Sequence, residues 1–439
     1  MGRRRKGKGS AAVWAVLLAI VACIGGLGLR HGGAQGLVER LQTAVWERRP
    51  PAPAVDAPSA AVLPWDGAAP VLIAEPTLPA ASAALPTSSP TPSTTPAPAP
   101  SFTPTFTATP RPTPTPAYLP AASSVALAGL THAWQTWNNC GPATLALALS
   151  YFGSELGQGE IGAALRPYED DKNVSPEELA AYARGQGFRA VVRVNGSADR
   201  LRLLLSNGLP VLVETWREPA PDDGMGHYRL LTGYDHALEE WIVYDSYDSM
   251  GLDPSAPYAG IRLPYAGFDA LWWVFNRVYV LVFTDAEAPL VEAIVGGEMD
   301  DAAMLARALD DTRRATEEHP EDPFAWFNLG SNLVEVGQFH QAAAAYDRAR
   351  EIGLPWRMLW YQFGPFRAYY EVGRFDDLLA LAAATLQTVD SIEEIHYWRG
   401  MALQAKGDAA AARQAFHRVL ELQPHHEDAR RQLETMTGS

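Results

Sequence analysis

Cys140 is the residue whose chemistry stands out. It sits in the run Trp134-Gln135-Thr136-Trp137-Asn138-Asn139-Cys140-Gly141-Pro142-Ala143-Thr144, just before the apolar stretch Leu145-Ala146-Leu147-Ala148-Leu149, which reads as a helix over 142–151. The other cysteine of the chain, Cys23, lies inside an N-terminal hydrophobic segment, so Cys140 has no disulfide partner in its own domain. A thiol at a helix start feels the positive end of the helix dipole, which favours the thiolate. Such a thiolate is a candidate nucleophile, and the plain alternative is a buried core cysteine.

A cysteine nucleophile needs a base, and the base needs a group to orient it. Cys140 is followed in the chain by His227, at the start of the strand pattern 227–235, and by Asp245, at the end of the strand pattern 241–245. Adjacent antiparallel strands would set these two residues side by side at one edge of a sheet. The carboxylate would then fix the imidazole tautomer and leave the other ring nitrogen to the thiol. Singly, His227 reads as a core histidine and Asp245 as a turn residue; together with Cys140 they read as a site.

The elements that must position these residues are mixed. Ser175-Pro176-Glu177-Glu178 is a helix start, with Ser as N-cap, Pro at the first position and Glu at the third. Strand-like runs follow at 190–194, 210–214, 227–232 and 241–244. Helices first and strands later, joined by short turns, predict an α+β domain with an antiparallel sheet over 118–285.

These residues resemble the bacteriocin-processing, double-glycine peptidase group of papain-fold cysteine peptidases, most closely its stand-alone domains. The resemblance rests on Gln135 to Ala143, Gly226-His227-Tyr228 and Gly233-Tyr234-Asp235, and it spans roughly 119–285. It implies a papain-like fold and acyl transfer, with Cys140 as nucleophile, His227 as general base and Asp245 as the orienting acid. Gln135 matches the glutamine that forms the oxyanion hole with the backbone N–H of Cys140. The chain departs from the pattern in four ways. Gln135 lies five residues before the cysteine rather than six, so Asn138 or Asn139 could supply the donor instead. Asn139 replaces a frequent Asp. Ser246 follows Asp245 where Pro is common, and Asp248 competes with Asp245. The sequence holds no Gly-x-x-x-x-Gly-Lys-Ser/Thr loop, so it is not an exporter.

At 439 residues the chain is too long for a single core. Its net charge of -15 argues against nucleic-acid binding. The basic segment 1–10 precedes a stretch over 11–29 that is apolar almost throughout and long enough to cross a bilayer core of ~30 Å. The positive-inside bias predicts a single-pass anchor with the folded part outside the cytoplasm. A lipoprotein anchored through Cys23 is the alternative. Residues 30–117, rich in Pro, Thr and Ala, predict a disordered spacer, of which the roughly 65 residues from Pro50 onward have a reach of up to about 200 Å.

From 299 to 436 the pattern is helical and resembles tetratricopeptide repeats. Trp326, Leu329, Gly330, Ala342, Tyr346, Ala349 and Pro355 fit one copy; Gly400, Ala412, Phe416 and Pro424 fit another. Between them, 360–389 reads as a degraded copy interrupted at Gly364-Pro365, and 302–317 as a leading half-repeat. Small residues at these spacings let helix pairs pack closely, each burying its face against the next.

Weaker candidates remain. His425-His426-Glu427 lacks a second ligand pair and reads as a solvated repeat end. Glu169-Asp170-Asp171 could bind a cation, but reads as a surface loop. Trp134, Trp137 and Trp216 could line a groove or fill a core. The expectation is a membrane-anchored, extracytoplasmic cysteine peptidase, without cofactor or metal, that acts on a peptide or protein and holds a protein partner on its repeats. The alternatives are an inactive papain-like binding module, and a thiol amidase or transpeptidase for non-protein amides.

Overall fold

The computed structural model describes residues 118–219, 222–249, 251–252 and 256–437. The expected basic segment, anchor and spacer over 1–117 lie outside the described residues. No helix among the described residues is long and apolar enough to cross a membrane.

The first half is built on one antiparallel sheet. Strand β1 spans Ser124–Ala126, β2 Arg189–Arg193, β3 Val211–Arg217, β4 Met225–Asp235, β5 Glu240–Tyr244, β6 Ile261–Pro264 and β7 Tyr279–Phe283. The order is β2-β7-β3-β4-β5-β6, with β1 added to the far end of β4. The last strand thus inserts beside β3. Its run Tyr279-Val280-Leu281-Val282-Phe283 is buried throughout, as a strand covered on both faces must be. The sequence pattern above does not anticipate β6 or β7.

Alternation along the strands divides two cores. Leu212, Leu230, Val280 and Val282 point to one face, where they meet Leu145, Leu149 and Leu179. The first two come from α1 (Cys140–Tyr151) and the third from α3 (Pro176–Gly185), which with α2 (Gln158–Leu165) lie on this side. Val211, Val213, Leu231, Leu281 and Phe283 point to the other face. There they meet α4 (Ala198–Ser206), α5 (Tyr265–Trp273) and α6 (Ala288–Val295). The predicted capping box of α3 is present: the Ser175 hydroxyl accepts the Glu178 N–H at 3.3 Å, and Glu178 accepts the Ser175 N–H at 2.8 Å.

Helices follow from Asp301 onward. A leading helix α7 (Asp301–Glu318) precedes three hairpins: α8 (Pro323–Glu335) with α9 (Phe339–Ile352), α10 (Gly364–Glu371) with α11 (Phe375–Leu386), and α12 (Glu393–Ala405) with α13 (Ala409–Leu422). Helix α14 (Glu427–Thr437) closes the array. Gly337, Gly373 and Gly407 turn the hairpins in the left-handed region. Within the first hairpin the small residue is needed for approach: a Cβ on Gly330 would sit 2.8 Å from the Tyr346 ring.

The middle hairpin explains its own degraded pattern. Between α9 and α10 the chain leaves the repeat and lays a 3₁₀ turn, Met358–Trp360, against the sheet domain. Arg357 donates to the Gly224 carbonyl at 3.1 Å and pairs with Asp223 at 2.7 Å. Trp216 of β3 and Phe275 then join the hydrophobic core of the repeats. Residues 356–361 therefore make this seam rather than a repeat.

Candidate active site

Cys140 is the first residue of α1. The helix reaches the sheet closely because position 141 is glycine: a Cβ there would lie 3.2 Å from the Tyr228 ring. Thr144, one turn on, donates its hydroxyl to the Tyr228 carbonyl at 3.2 Å. These two contacts hold the start of α1 over the segment of β4 that carries His227. Asn139 is the N-cap, and Asn138 before it adopts a φ of 52°, a left-handed turn that asparagine tolerates.

His227 lies on β4 and Asp245 directly after β5. Leu230 pairs with Tyr244 across the two strands, which sets Asp245 beside the start of β4. Nε2 of His227 is 2.9 Å from Oδ1 of Asp245. The imidazole also stands within electrostatic reach of the Cys140 thiol. With Nε2 committed to the carboxylate, Nδ1 is the ring nitrogen left for sulfur. Both His227 and Asp245 are buried, while Cys140 is partly exposed.

Asp245 is held from every side. Its Oδ1 also accepts the backbone N–H groups of Tyr247 and Asp248, each at 2.7 Å. Its Oδ2 accepts Nε of Arg229 at 2.9 Å. Arg229 lies two residues after His227, so both point to one face of β4. The pattern reading passed over Arg229, though that spacing could have indicated it. Asp248, the competitor for Asp245, is occupied elsewhere: it accepts from Arg217 at 2.9 Å and Arg229 at 3.0 Å.

The charges follow from these contacts. Burial would keep the Asp245 carboxyl neutral, but the positive His227 and Arg229 and their hydrogen bonds hold it well below the usual carboxylate range. Burial likewise lowers His227, yet the Asp245 charge and hydrogen bond outweigh it and raise the imidazole to about 9. For the Cys140 thiol, burial pushes up. The His227 hydrogen bond and charge, with backbone hydrogen bonds from Tyr228 and Gly141, pull it below its ordinary value. A thiolate–imidazolium pair is the favoured state of such an arrangement near neutral pH.

Gln135 is buried and borders the same cleft. Its backbone N–H donates to the Ser246 carbonyl at 2.8 Å, and its side-chain Oε1 accepts the Ser246 hydroxyl at 3.0 Å. With its oxygen engaged, the amide presents its NH₂ as the remaining group. The serine that departs from the family pattern is thus the residue that orients Gln135. Asn138 borders the cleft as well. Asn139 does not serve there: its NH₂ donates to Gln158, at 3.1 Å to the backbone carbonyl and 3.0 Å to Oε1, and its oxygen accepts from Arg166 at 3.2 Å. Gln158 also binds Thr136 N–H and the Trp134 carbonyl, at 2.8 and 2.7 Å. It secures the whole loop that delivers Gln135 and Cys140, and the sequence reading missed it.

The cleft between these groups has a cavity volume of about 40 Å³. Lys172, Arg217, Met225, Gly226 and Tyr247 complete its near walls, and Tyr361 closes it from the 353–363 segment of the helical array. The Tyr361 ring packs on Gly226, where a Cβ would lie 3.0 Å away.

The three weaker candidates have the following places. Of the tryptophans, Trp216 is buried against Phe275 and Tyr361, Trp134 packs edge-on to His132, and Trp137 donates to Asp170 at 3.2 Å; none borders the cleft. The Glu169–Asp171 run is not a plain surface loop. Asp171 is buried, and Ser391 of the repeats donates to the Asp170 carbonyl at 2.6 Å. His426 stacks on Tyr397, and no group of metal-ligating side chains occurs among the described residues.

Residues 129–260 match the family described as Peptidase_C39 like, and residues 393–426 match the tetratricopeptide repeat. Among solved structures, the chain is similar to a double glycine motif protease from an AMS/PCAT transporter in complex with the leader peptide. The identity is 17% and the TM-score 0.27, over 36% of this chain and 94% of that one. It is also similar to the peptidase domain of Streptococcus ComA, a bifunctional ABC transporter, at 17% identity and a TM-score of 0.25, over 37% of this chain and 100% of that one. A further similar structure is MamA from Desulfovibrio magneticus RS-1, at 14% identity and a TM-score of 0.28, over 31% of this chain and 76% of that one. No curated protein matches the chain.

Proposed function

We propose that this C39-like domain, fused to tetratricopeptide repeats, is a working cysteine peptidase. The observation that carries the reading is His227 bonded to Asp245 and set beside Cys140 at the wall of a cleft. In this reading the Cys140 thiolate attacks a peptide carbonyl. The oxyanion is met by the Gln135 NH₂ and by the Cys140 N–H, which lies in the first helical turn where intrahelical acceptors are lacking. Such donors typically lower the barrier by about 3–4 kcal/mol. Protonated His227 gives its proton to the leaving amine. Water, deprotonated by His227, then hydrolyses the thioester and frees the thiol. Asp245 stabilises the imidazolium and fixes its orientation throughout.

The segment over 11–29 anchors the protein in a membrane, the 30–117 stretch is its spacer, and the repeats hold a protein partner outside the cytoplasm. These parts rest on the sequence. A peptide-library digest comparing the wild type with Cys140→Ser tests the chemistry. Cleavage that disappears in the variant supports it. A wild type that cleaves no peptide, and whose Cys140 reacts with a thiol electrophile no faster than free cysteine, would overturn it in favour of an inactive module. Hydrolysis of simple amides without peptide cleavage would favour the amidase.

A further inference from the structure

A second cavity, of about 640 Å³, opens where α3, β2 and β3 of the sheet domain face α7, α8 and the start of α10. That is the size of a site for a small organic ligand. It takes no part in the chemistry proposed for Cys140. One lining residue is Glu214 of β3, only 3% exposed, whose Oε2 has no hydrogen-bond partner among the described residues. Two more buried lining groups are left with an open position. Asn276 donates its NH₂ to Asn332 at 2.7 Å but leaves its Oδ1 unmatched. Arg193 is spent on Asp301, Val192 and Met299 through its terminal nitrogens but leaves Nε unmatched.

An unmatched buried polar atom costs roughly 1–3 kcal/mol, and three around one cavity are a large sum to leave unused. Their chemistry is specific. Glu214 and Asn276 ask for a donor, and Arg193 asks for an acceptor. The exposed carboxylates Glu177 and Glu335 stand at the rim. The lining sets the acidic side chains Glu177, Glu214, Asp301 and Glu335 against the basic Arg184 and Arg193, so acidic groups are in excess. Phe275 adds an aromatic wall suited to a cation.

We infer that this cavity binds an organic cation, an ammonium or guanidinium head with a carbonyl close by, held by Glu214, Asn276 and Arg193. Burial, with the charges of Cys140 and Glu177 behind it, raises the empty Glu214 carboxyl well above its ordinary value. A bound cation pulls it back down, so binding favours release of a proton.

Isothermal titration of the full chain at pH 7.5, in two buffers of different ionisation enthalpy, reads both events. The probes are L-lysine, L-arginine, Nα-acetyl-lysine N-methylamide and, as the uncharged control, norleucine blocked in the same way at both ends. The expected result is binding of the basic probes with proton release, and none of norleucine. Binding of the blocked lysine as well as the free one identifies a basic residue within a peptide; binding of the free forms alone identifies an amino acid. Glu214→Gln should weaken binding by about tenfold or more and abolish the proton release. Glu335→Gln, at the exposed rim, tests the same charge without touching the core and should weaken binding by a few-fold, about two to five. The inference is overturned if no basic probe binds below about 10 mM. It is equally overturned if norleucine binds as well as lysine, or if both variants bind unchanged.

Discussion

Ser246 donates its hydroxyl to Oε1 of Gln135 at 3.0 Å, so the residue after the orienting aspartate sets the direction of the oxyanion donor. Two parts of the site that come from opposite ends of the domain are therefore tied together. Gln135→Ala should lower kcat by about 10²–10³-fold with little change in KM, the loss typical of one oxyanion donor. Ser246→Ala keeps the donor but frees its rotation, and should cost kcat a smaller factor, about tenfold. Steady-state kinetics on a cleaved peptide measure both. A loss confined to 1/KM, with kcat unchanged, would mean that Gln135 binds the substrate and the transition state alike.

The pH profile follows from the pair of shifted groups. Peptide cleavage needs the Cys140 thiolate and the His227 proton together. The thiolate appears below the ordinary thiol range, and the proton persists up to about 9. kcat/KM should therefore form a broad plateau whose alkaline limb falls near pH 9. Asp245→Asn removes the main group that raises His227, so the alkaline limb should move down toward the free imidazole value of about 6.5. The rate at neutral pH should drop by about 10²-fold or more. An unmoved alkaline limb would show that another residue owns it.

Tyr361 reaches the cleft from the helical array and packs on Gly226. Tyr361→Ala should let the protein cleave peptides with a bulkier residue next to the scissile bond than the wild type accepts. The ring is also packed among Trp216 and Phe275, so the change should cost stability of about 3–5 kcal/mol. Tyr361→Phe keeps the packing and should keep the wild-type preference. Library digestion and thermal unfolding of the two variants separate selectivity from folding.

Asp171 lies buried at the seam with the repeats, and burial raises its carboxyl to about 7. Its neighbours Glu178, Glu393 and Glu394 are raised in the same direction, burial again being the first cause. Unfolded, Asp171 ionises near its ordinary value of about 3.9. Between there and about 7 the folded protein holds a proton that the unfolded chain has released, so this group's contribution to stability falls as pH rises through that window. Asp171→Asn has no such dependence. The Tm of the variant should gain on the wild type between pH 5 and pH 8; a constant difference would refute the assignment.

Much of the site was legible because it is local or strand-paired. Cys140 stands before an apolar helix, and His227 and Asp245 stand on neighbouring strands, so pattern and register suffice to bring the last two together. Arg229 was within reach of the same reasoning, at the i+2 position of His227. Gln158 was not, since nothing in an eight-residue helix signals that its first side chain ties down a loop some twenty residues earlier. Tyr361 lies further still out of reach. Its contact with Gly226 depends on how the helices dock, and the run Trp356-Arg357-Met358-Leu359-Trp360-Tyr361 shows in sequence only as a repeat that has lost its pattern. The run Glu169-Asp170-Asp171 misled for the same reason: charge suggests water until a second domain covers it.

The detour between α9 and α10 makes the two halves hard to separate. A shortened protein ending near residue 285 would strip Trp216 and Phe275 of their cover, bare an oily face, and lose one side of the groove beside Cys140. The outer helices and that groove are thus joined through a single turn of backbone.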